Sequence, residues 1–338
     1  MSMSASTPST EPSQPVVHSD ESQDPKLIHV AAGVITDANR RVLIAKRPIG
    51  AHQGGLWEFP GGKLEPDEPV EQGLARELDE ELGIQVMASK PLIRLRHDYG
   101  DRLVLLDIHR VLSYQGHPHG REGQALDWQL PADMQPERFP AADRPVINAL
   151  RLPSRYLITG PEPRQTDAFV TQLSQVLART GARIVQLRAP DLEALAYAAL
   201  AEACAPVCRQ AGAQLVLNCD PELARGLPGD GLHLTEARLA ALTERPRINR
   251  SLLGASCHSA EALAKSAALD LEYALLSPVQ HTQSHPDATP LGWPTFAKLV
   301  DRACLPVYAL GGVDEGDLET AISHGAQGVA GIRGFWSR

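Results

Sequence analysis

Aromatic residues are scarce, at 4% of 338, so any core here is built mainly from aliphatic side chains. Cysteines are few and odd in number: Cys204, Cys208, Cys219, Cys257 and Cys304, all in the second half. Cys204 and Cys208 lie one helical turn apart, and neither a CxxC pair nor a second ligand pair accompanies them. That argues against a disulfide framework or a zinc module, and for reduced thiols in a cytoplasmic compartment. No stretch approaches the roughly 20 consecutive apolar residues that span a bilayer. Positive charge is not in excess either. A formal net charge of −9 disfavours direct binding to a nucleic-acid backbone and points instead to free nucleotides held by a metal and a few cations. The N-terminus lacks both the basic start and the apolar run of a secretory signal, and residues 1–26 are expected to form a disordered tail.

What is present is ordinary globular composition, 43% hydrophobic and 22% charged, in a chain long enough for two domains. Over 27–150 the reading is of short strands around one strong helix. "IHVAAGVIT" and "RVLIAKR" flank the turn signal Asp37-Ala38-Asn39 and suggest a hairpin. "DRLVLLDIHRVL" and "ALDWQL" read as further strands. A helix is expected from Glu71 to Leu82, with Glu68 and Pro69 suited to its start and Gly83 to its end. "DRPVINAL" reads as a closing helix. Strands in runs around helices indicate an α+β sandwich. After a linker at 151–155, residues 156–338 alternate strictly between short apolar runs and Ala/Leu-rich helices. Eight strand candidates, "YLIT", "ARIVQLR", "QLVLN", "GLHL", "LLGAS", "YALLS", "PVYAL" and "GVAGI", fit an α/β (β/α)8 TIM-like barrel. A doubly wound open sheet is the alternative, and the strand count favours the barrel.

The segment from Gly62 to Ile84 carries the chemistry. On a helix Glu77, Glu80 and Glu81 are related by i, i+3 and i+4, so three carboxylates share one face. Like charges at that spacing destabilise a helix unless something compensates. Clustered oxygen donors suit Mg2+ or Mn2+, which also recruit substrate phosphates. A solvated acidic face would not account for Gly62, Glu68, Arg76 and Gly83 at fixed offsets. The segment matches the whole Nudix box, G-x5-E-x7-R-E-U-x-E-E-x-G-U, and the first domain therefore resembles the Nudix hydrolases. The resemblance implies a metal held by Glu77, Glu80 and Glu81 with the Gly62 carbonyl, Arg76 and Glu68 bracing the loop, and water attack on a nucleoside polyphosphate.

"AAGVI", "LWEFPGGKLE", "GREGQALDW" and "FPAADRPVI" are similar to the MutT branch, the 8-oxo-dGTP diphosphatases that cleanse the nucleotide pool and so prevent mutation. Carried over by position, Arg47 would contact phosphate, His52 the nucleotide or its phosphates, and Phe59 the purine. Glu122 would assist metal binding and water activation. From the residues alone, Arg47 and His52 also read as surface groups, and Phe59 as packing beneath the Gly-Gly turn. One position departs from the branch: Asp143 stands where an Asn reads the oxidised purine. Asn donates and accepts, whereas ionised Asp only accepts. It donates to O6 only when protonated.

The second half resembles thiamine-phosphate synthase and its relative TenI through "YLIT", "VQLR", "LVLN", "GLHL", "LLSPV" and "ALGGV". Gly311-Gly312, and the Gly331-to-Gly334 region, lie where barrels bind phosphate through backbone N–H groups, or simply make tight turns. Gln186, Arg188, Asn218, His233 and His258 are pocket candidates or structural rim groups. The metal-binding acids of the resemblance are displaced, at Cys219-Asp220 and Glu236-Ala237-Arg238. The expected lysine is Ala189 or Pro190, and a further loop reads His281-Thr282-Gln283-Ser284. A catalytically degenerate barrel is thus expected; the alternatives are a sensor of a phosphorylated ligand or a residual synthase. For the hydrolase, another nucleotide or a thiamine-pathway pyrophosphate is the alternative substrate.

Overall fold

The computed structural model describes residues 26–160, 165–282 and 288–336. The expected tail up to residue 25, and the Gln283-Ser284 part of the barrel loop, lie outside them. The first domain runs β1 (Lys26–Ile35), β2 (Val42–Lys46), β3 (Trp57–Glu58), β4 (Gly61–Lys63), α1 (Val70–Leu82), β5 (Gln85–Asp98), β6 (Arg102–Gln115), β7 (Leu126–Gln129) and α2 (Arg144–Arg151). Its strands form two sheets, ordered β4-β1-β6-β5 and β3-β2-β7. Successive residues of a strand face opposite ways, and both sheets use this. Ala31, Ile35 and Leu43 pack with Leu74, Leu78 and Leu82 of α1, while Ala32, Val34, Val42 and Ile44 pack with Val146 and Ile147 of α2. A sandwich with one helix on each side is the result.

Two expectations need correction. The hairpin of β1 and β2 exists only as a turn around Asp37 and one bridge, Thr36 to Val42. Both edges of β1 are already taken, by β4 antiparallel and β6 parallel, so β2 must join the other sheet. And β5, a 14-residue strand, was not expected. Pro91 sits in its middle, and its pairing with β6 slips at three places; proline and bulges erase the alternation that marks a strand.

The second half is a closed barrel of eight parallel strands: β8 (Arg155–Ile158), β9 (Ile184–Leu187), β10 (Gln214–Leu217), β11 (Gly231–Leu234), β12 (Leu252–Cys257), β13 (Tyr273–Leu276), β14 (Val307–Leu310) and β15 (Gly328–Gly331). All eight expected strands are there. One side-chain set, including Tyr156, Ile184, Val216, Tyr273 and Tyr308, fills the interior. The alternate set, including Leu157, Val185, Leu215 and Val307, packs against the surrounding helices. Burial on both faces explains why these strands read as continuous apolar runs. The 151–155 segment is not slack: Tyr308 Oη donates to the Pro153 carbonyl at 2.5 Å, and Gln327 Nε2 donates to the carbonyls of Ala149 (3.1 Å) and Leu152 (2.9 Å).

Candidate active site

Helix α1 is positioned by its ends. Gly83, at φ 68°, caps it in the left-handed conformation, and its N–H bonds back to the Asp79 carbonyl, as glycine does best. The buried Leu74, Leu78 and Leu82 pin one face to the sheets, and Glu77, Glu80 and Glu81 lie along the flank beside it. Arg76 holds the approach loop: its Nε and Nη2 bond the two Glu68 oxygens at 2.9 and 2.8 Å, Nη2 reaches the Lys63 carbonyl at 3.1 Å, and Nη1 meets Glu77 Oε1 at 2.8 Å. The forked hydrogen bonds from Arg76 hold the Glu68 carboxyl at about 2, well below its usual range. A Cβ at Gly62 would meet the Glu77 carboxylate, which would have to turn aside.

Glu81 is the innermost acid. Its Oε2 accepts from the Gly61 N–H at 3.1 Å. Burial first, then the neighbouring Glu58, push its carboxyl up to about 8, and Glu122 and Glu77 add to the rise. Glu58 was not anticipated from the sequence. It is buried enough for its pKa to rise despite the adjacent Arg47, and Glu122 raises it further. The only cue was a charge set between Trp57 and Phe59 in a short strand. Arg47 bonds Glu58 through Nη1 and donates from Nε to the His52 carbonyl at 3.0 Å. Glu122 is held on a loop docked over the C-terminal end of α1. There Arg121 N and Gln124 Nε2 donate to the Glu81 carbonyl at 2.9 and 3.1 Å, and Arg121 Nη1 donates to the Asp79 carbonyl at 2.7 Å.

These carboxylates outnumber the cations beside them, and the donor set is all oxygen, which fits a hard divalent ion. Among the described residues, though, no three His, Cys, Asp or Glu side chains already enclose a metal position. Glu77 is turned to Arg76 and the Glu80 side chain is 59% exposed. Holding a cation therefore requires these two side chains to turn inward.

Asp143 is 7% exposed and caps no helix with its side chain. Burial, and then the Glu58 carboxylate, push it up to about 8, with Arg47 opposing. Phe59, 3% exposed, stacks on Phe139 with ring centroids 5.9 Å apart, the packing alternative. His52 is exposed and meets Tyr99 edge-on at 5.4 Å.

In the barrel, Gln186 accepts from Asn218 Nδ2 at 3.0 Å and donates to Tyr156 Oη at 3.2 Å. Tyr156 and Tyr273 share a hydroxyl bond of 2.7 Å, and His233, fully buried, lies between Tyr273 Oη (3.2 Å) and Ser256 Oγ (2.9 Å). Burial holds His233 down at about 3, hence neutral. Arg238 reaches Asn218 Oδ1 at 3.4 Å. Arg188 and His258 are exposed, and the His258 ring bonds the Ser277 carbonyl at 2.7 Å. Gly311 and Gly312 have φ 91° and 72°, and a Cβ on them would strike Pro278 at 2.7 Å and the His281 carbonyl at 2.4 Å. All five cysteines are free thiols, and no helix among the described residues is long and apolar enough to cross a membrane.

Residues 31–149 match the family model described as NUDIX domain, and residues 155–335 that described as thiamine monophosphate synthase. The 8-oxo-dGTP diphosphatase of Proteus vulgaris is 46% identical over 100 residues, 30% of this chain and 89% of the relative. The CTP pyrophosphohydrolase of Escherichia coli is 37% identical over 124 residues, 37% of this chain and 91% of the relative. The thiamine-phosphate synthase of Laribacter hongkongensis is 31% identical over 179 residues, 52% of this chain and 84% of the relative.

Proposed function

Because the chain belongs to the Nudix hydrolases through its first domain and to the thiamine monophosphate synthase family through its second, we propose that it cleaves 8-oxo-dGTP to 8-oxo-dGMP and pyrophosphate. That it hydrolyses phosphoric anhydrides follows from the family; the substrate and the metal are our reading. The observation that carries it is the surplus of carboxylates at Glu81, where Glu58, Glu77 and Glu122 all oppose its ionisation. Glu77, Glu80, Glu81, Glu122 and the Gly62 carbonyl would hold Mg2+ or Mn2+. Once bound, the ion supplies neutralisation of phosphate charge and readies water for attack. Arg76 holds the Gly62 loop through Glu68 and the Lys63 carbonyl, and Glu77 would leave Arg76 to meet the ion. Arg47 would meet phosphate on leaving Glu58, and Glu122, carried on its docked loop, would take a proton from the attacking water.

Asp143 supports the preference for the oxidised purine through its proton. Kept neutral by burial and by Glu58, a carboxylic acid offers one donor and one acceptor, as an amide does. Its O–H can donate to O6 while its carbonyl accepts from the N7–H of the oxidised base. The likeness to a CTP pyrophosphohydrolase supports a second reading, a pyrimidine triphosphate. Turnover of 8-oxo-dGTP, dGTP and CTP side by side tests both; 8-oxo-dGTP no better than dGTP, or CTP preferred, would overturn the first.

The barrel is read as catalytically degenerate, a ligand-binding or structural partner located with the hydrolase in the cytoplasm. Arg238 occupies the region where an acid is required, and it contacts Asn218. Growth rescue of a strain deficient in thiamine-phosphate synthase would contradict this.

A further inference from the structure

Between the two domains lies a cleft of about 700 Å3, a size typical of small-molecule sites. None of the residues assigned above to the hydrolase or to the barrel mouth lines it. One wall comes from the first domain and carries Arg40, Arg110 and Arg151; the other is the barrel end that includes Gln214, Leu252 and Glu272. Gln214 and Leu252 open β10 and β12, so this is the N-terminal end of the barrel, opposite the end at which barrels do chemistry.

The charge in this cleft is unbalanced. Arg110 is half-buried, burial alone lowers its pKa, and its guanidinium has no hydrogen bond or ion pair among the described residues. Arg151 donates from Nε to the Pro131 carbonyl (2.8 Å) and from Nη2 to the Met134 carbonyl (2.5 Å), which positions the group, and Glu272 and Glu137 favour its charge without pairing with it. Glu272, the one carboxylate on the walls, is already engaged: Arg245 Nη2 bonds both of its oxygens, at 2.8 and 3.1 Å, and it accepts from Leu253 N at 2.6 Å. An unpaired cation withdrawn from water is costly, and an anion in the cleft would remove that cost. Leu130, Leu150 and Leu252 make part of the lining apolar, which suits an organic group better than a bare ion.

We propose that the cleft binds a small organic phosphate, with the phosphate on Arg110 and Arg151 and the organic part against the leucines. Since both domains line the site, its occupancy also fixes one domain on the other.

Isothermal titration of the full chain with phenyl phosphate tests this, in EDTA so that nothing binds through a metal at α1. The wild type should bind phenyl phosphate saturably, with Kd near 1 mM or tighter, roughly 4 kcal/mol of binding, and more tightly than inorganic phosphate. Arg110→Met should weaken phenyl phosphate by about tenfold or more. Without ligand the same variant should melt no lower than the wild type, because it removes an unpaired half-buried charge. No saturable binding to the wild type up to ~10 mM, or equal binding by a folded Arg110→Met, would overturn the proposal. Because the readout is binding without metal, it stands or falls separately from the substrate assigned to the hydrolase.

Discussion

The two halves each bury a polar cluster, and the clusters are opposites. Inside the barrel, Tyr156, Gln186, Asn218, His233, Tyr273 and Ser256 are neutral and satisfy one another. In the hydrolase, Glu81, Asp143 and the exposed Glu122 act on Glu58, which pairs with Arg47, and the pKa values of Glu58, Glu81 and Asp143 are all displaced upward. A closed neutral network costs little to bury and holds a barrel together. Crowded carboxylates are costly to bury, and a site keeps them where a cation or substrate completes the arrangement. Buried polarity by itself thus says little about function; the charge left unbalanced says more.

That contrast can be broken from either side. The largest expected effect is that of Glu77→Gln, which should lower turnover by roughly two to three orders of magnitude while the circular dichroism spectrum and melting temperature hold. Full activity with normal metal dependence would remove Glu77 from the metal set. Gly62→Ala comes next. Its methyl meets the Glu77 carboxylate at 2.2 Å, so Glu77 must shift, and turnover should fall by about 10–100-fold with metal affinity; unchanged kinetics would show that Glu77 works from another position.

Asp143→Asn sharpens the comparison through pH. The wild-type acid, near 8 in the folded protein against 3.8 for a free side chain, keeps its proton while the unfolded chain releases one. Wild-type stability should therefore fall as pH rises from about 4 to about 8 and then level off, and the variant should escape that loss. On 8-oxo-dGTP, kcat/KM of the wild type relative to Asp143→Asn should drop by about tenfold as pH passes 8, the equivalent of one hydrogen bond. A ratio flat with pH would mean Asp143 does not meet the base as a neutral acid. The smallest effect is in the barrel: Tyr156→Phe breaks the bonds to Tyr273 and Gln186 and should cost about 1–3 kcal/mol of stability, with hydrolysis unaltered. Altered hydrolysis would tie the barrel interior to the active site.

Local patterns carried most of the fold. The α1 face and the eight barrel strands were legible because each rests on spacing within a dozen residues. The partner of β2 was not, since it depends on which edges of β1 other strands had taken. Long-range convergence hid Glu58, which acquires its meaning only beside Arg47 and Glu81. The character of Asp143 was half legible. Sequence showed the missing amide, but the raised pKa of Asp143 depends on burial and on Glu58. At Phe59, Gly311 and Gly312 the residues allowed either packing or binding, and the close packing seen at each is compatible with both.

The central claim is that the acidic helix performs metal-assisted cleavage of an oxidised purine triphosphate. The most direct measurement is pyrophosphate release from 8-oxo-dGTP and from dGTP by the full chain, with and without Mg2+, at neutral pH. We expect release that requires the metal and a kcat/KM for 8-oxo-dGTP at least about tenfold above that for dGTP, as one added hydrogen bond would give. Equal rates on the two triphosphates, or release that persists in EDTA, would contradict it.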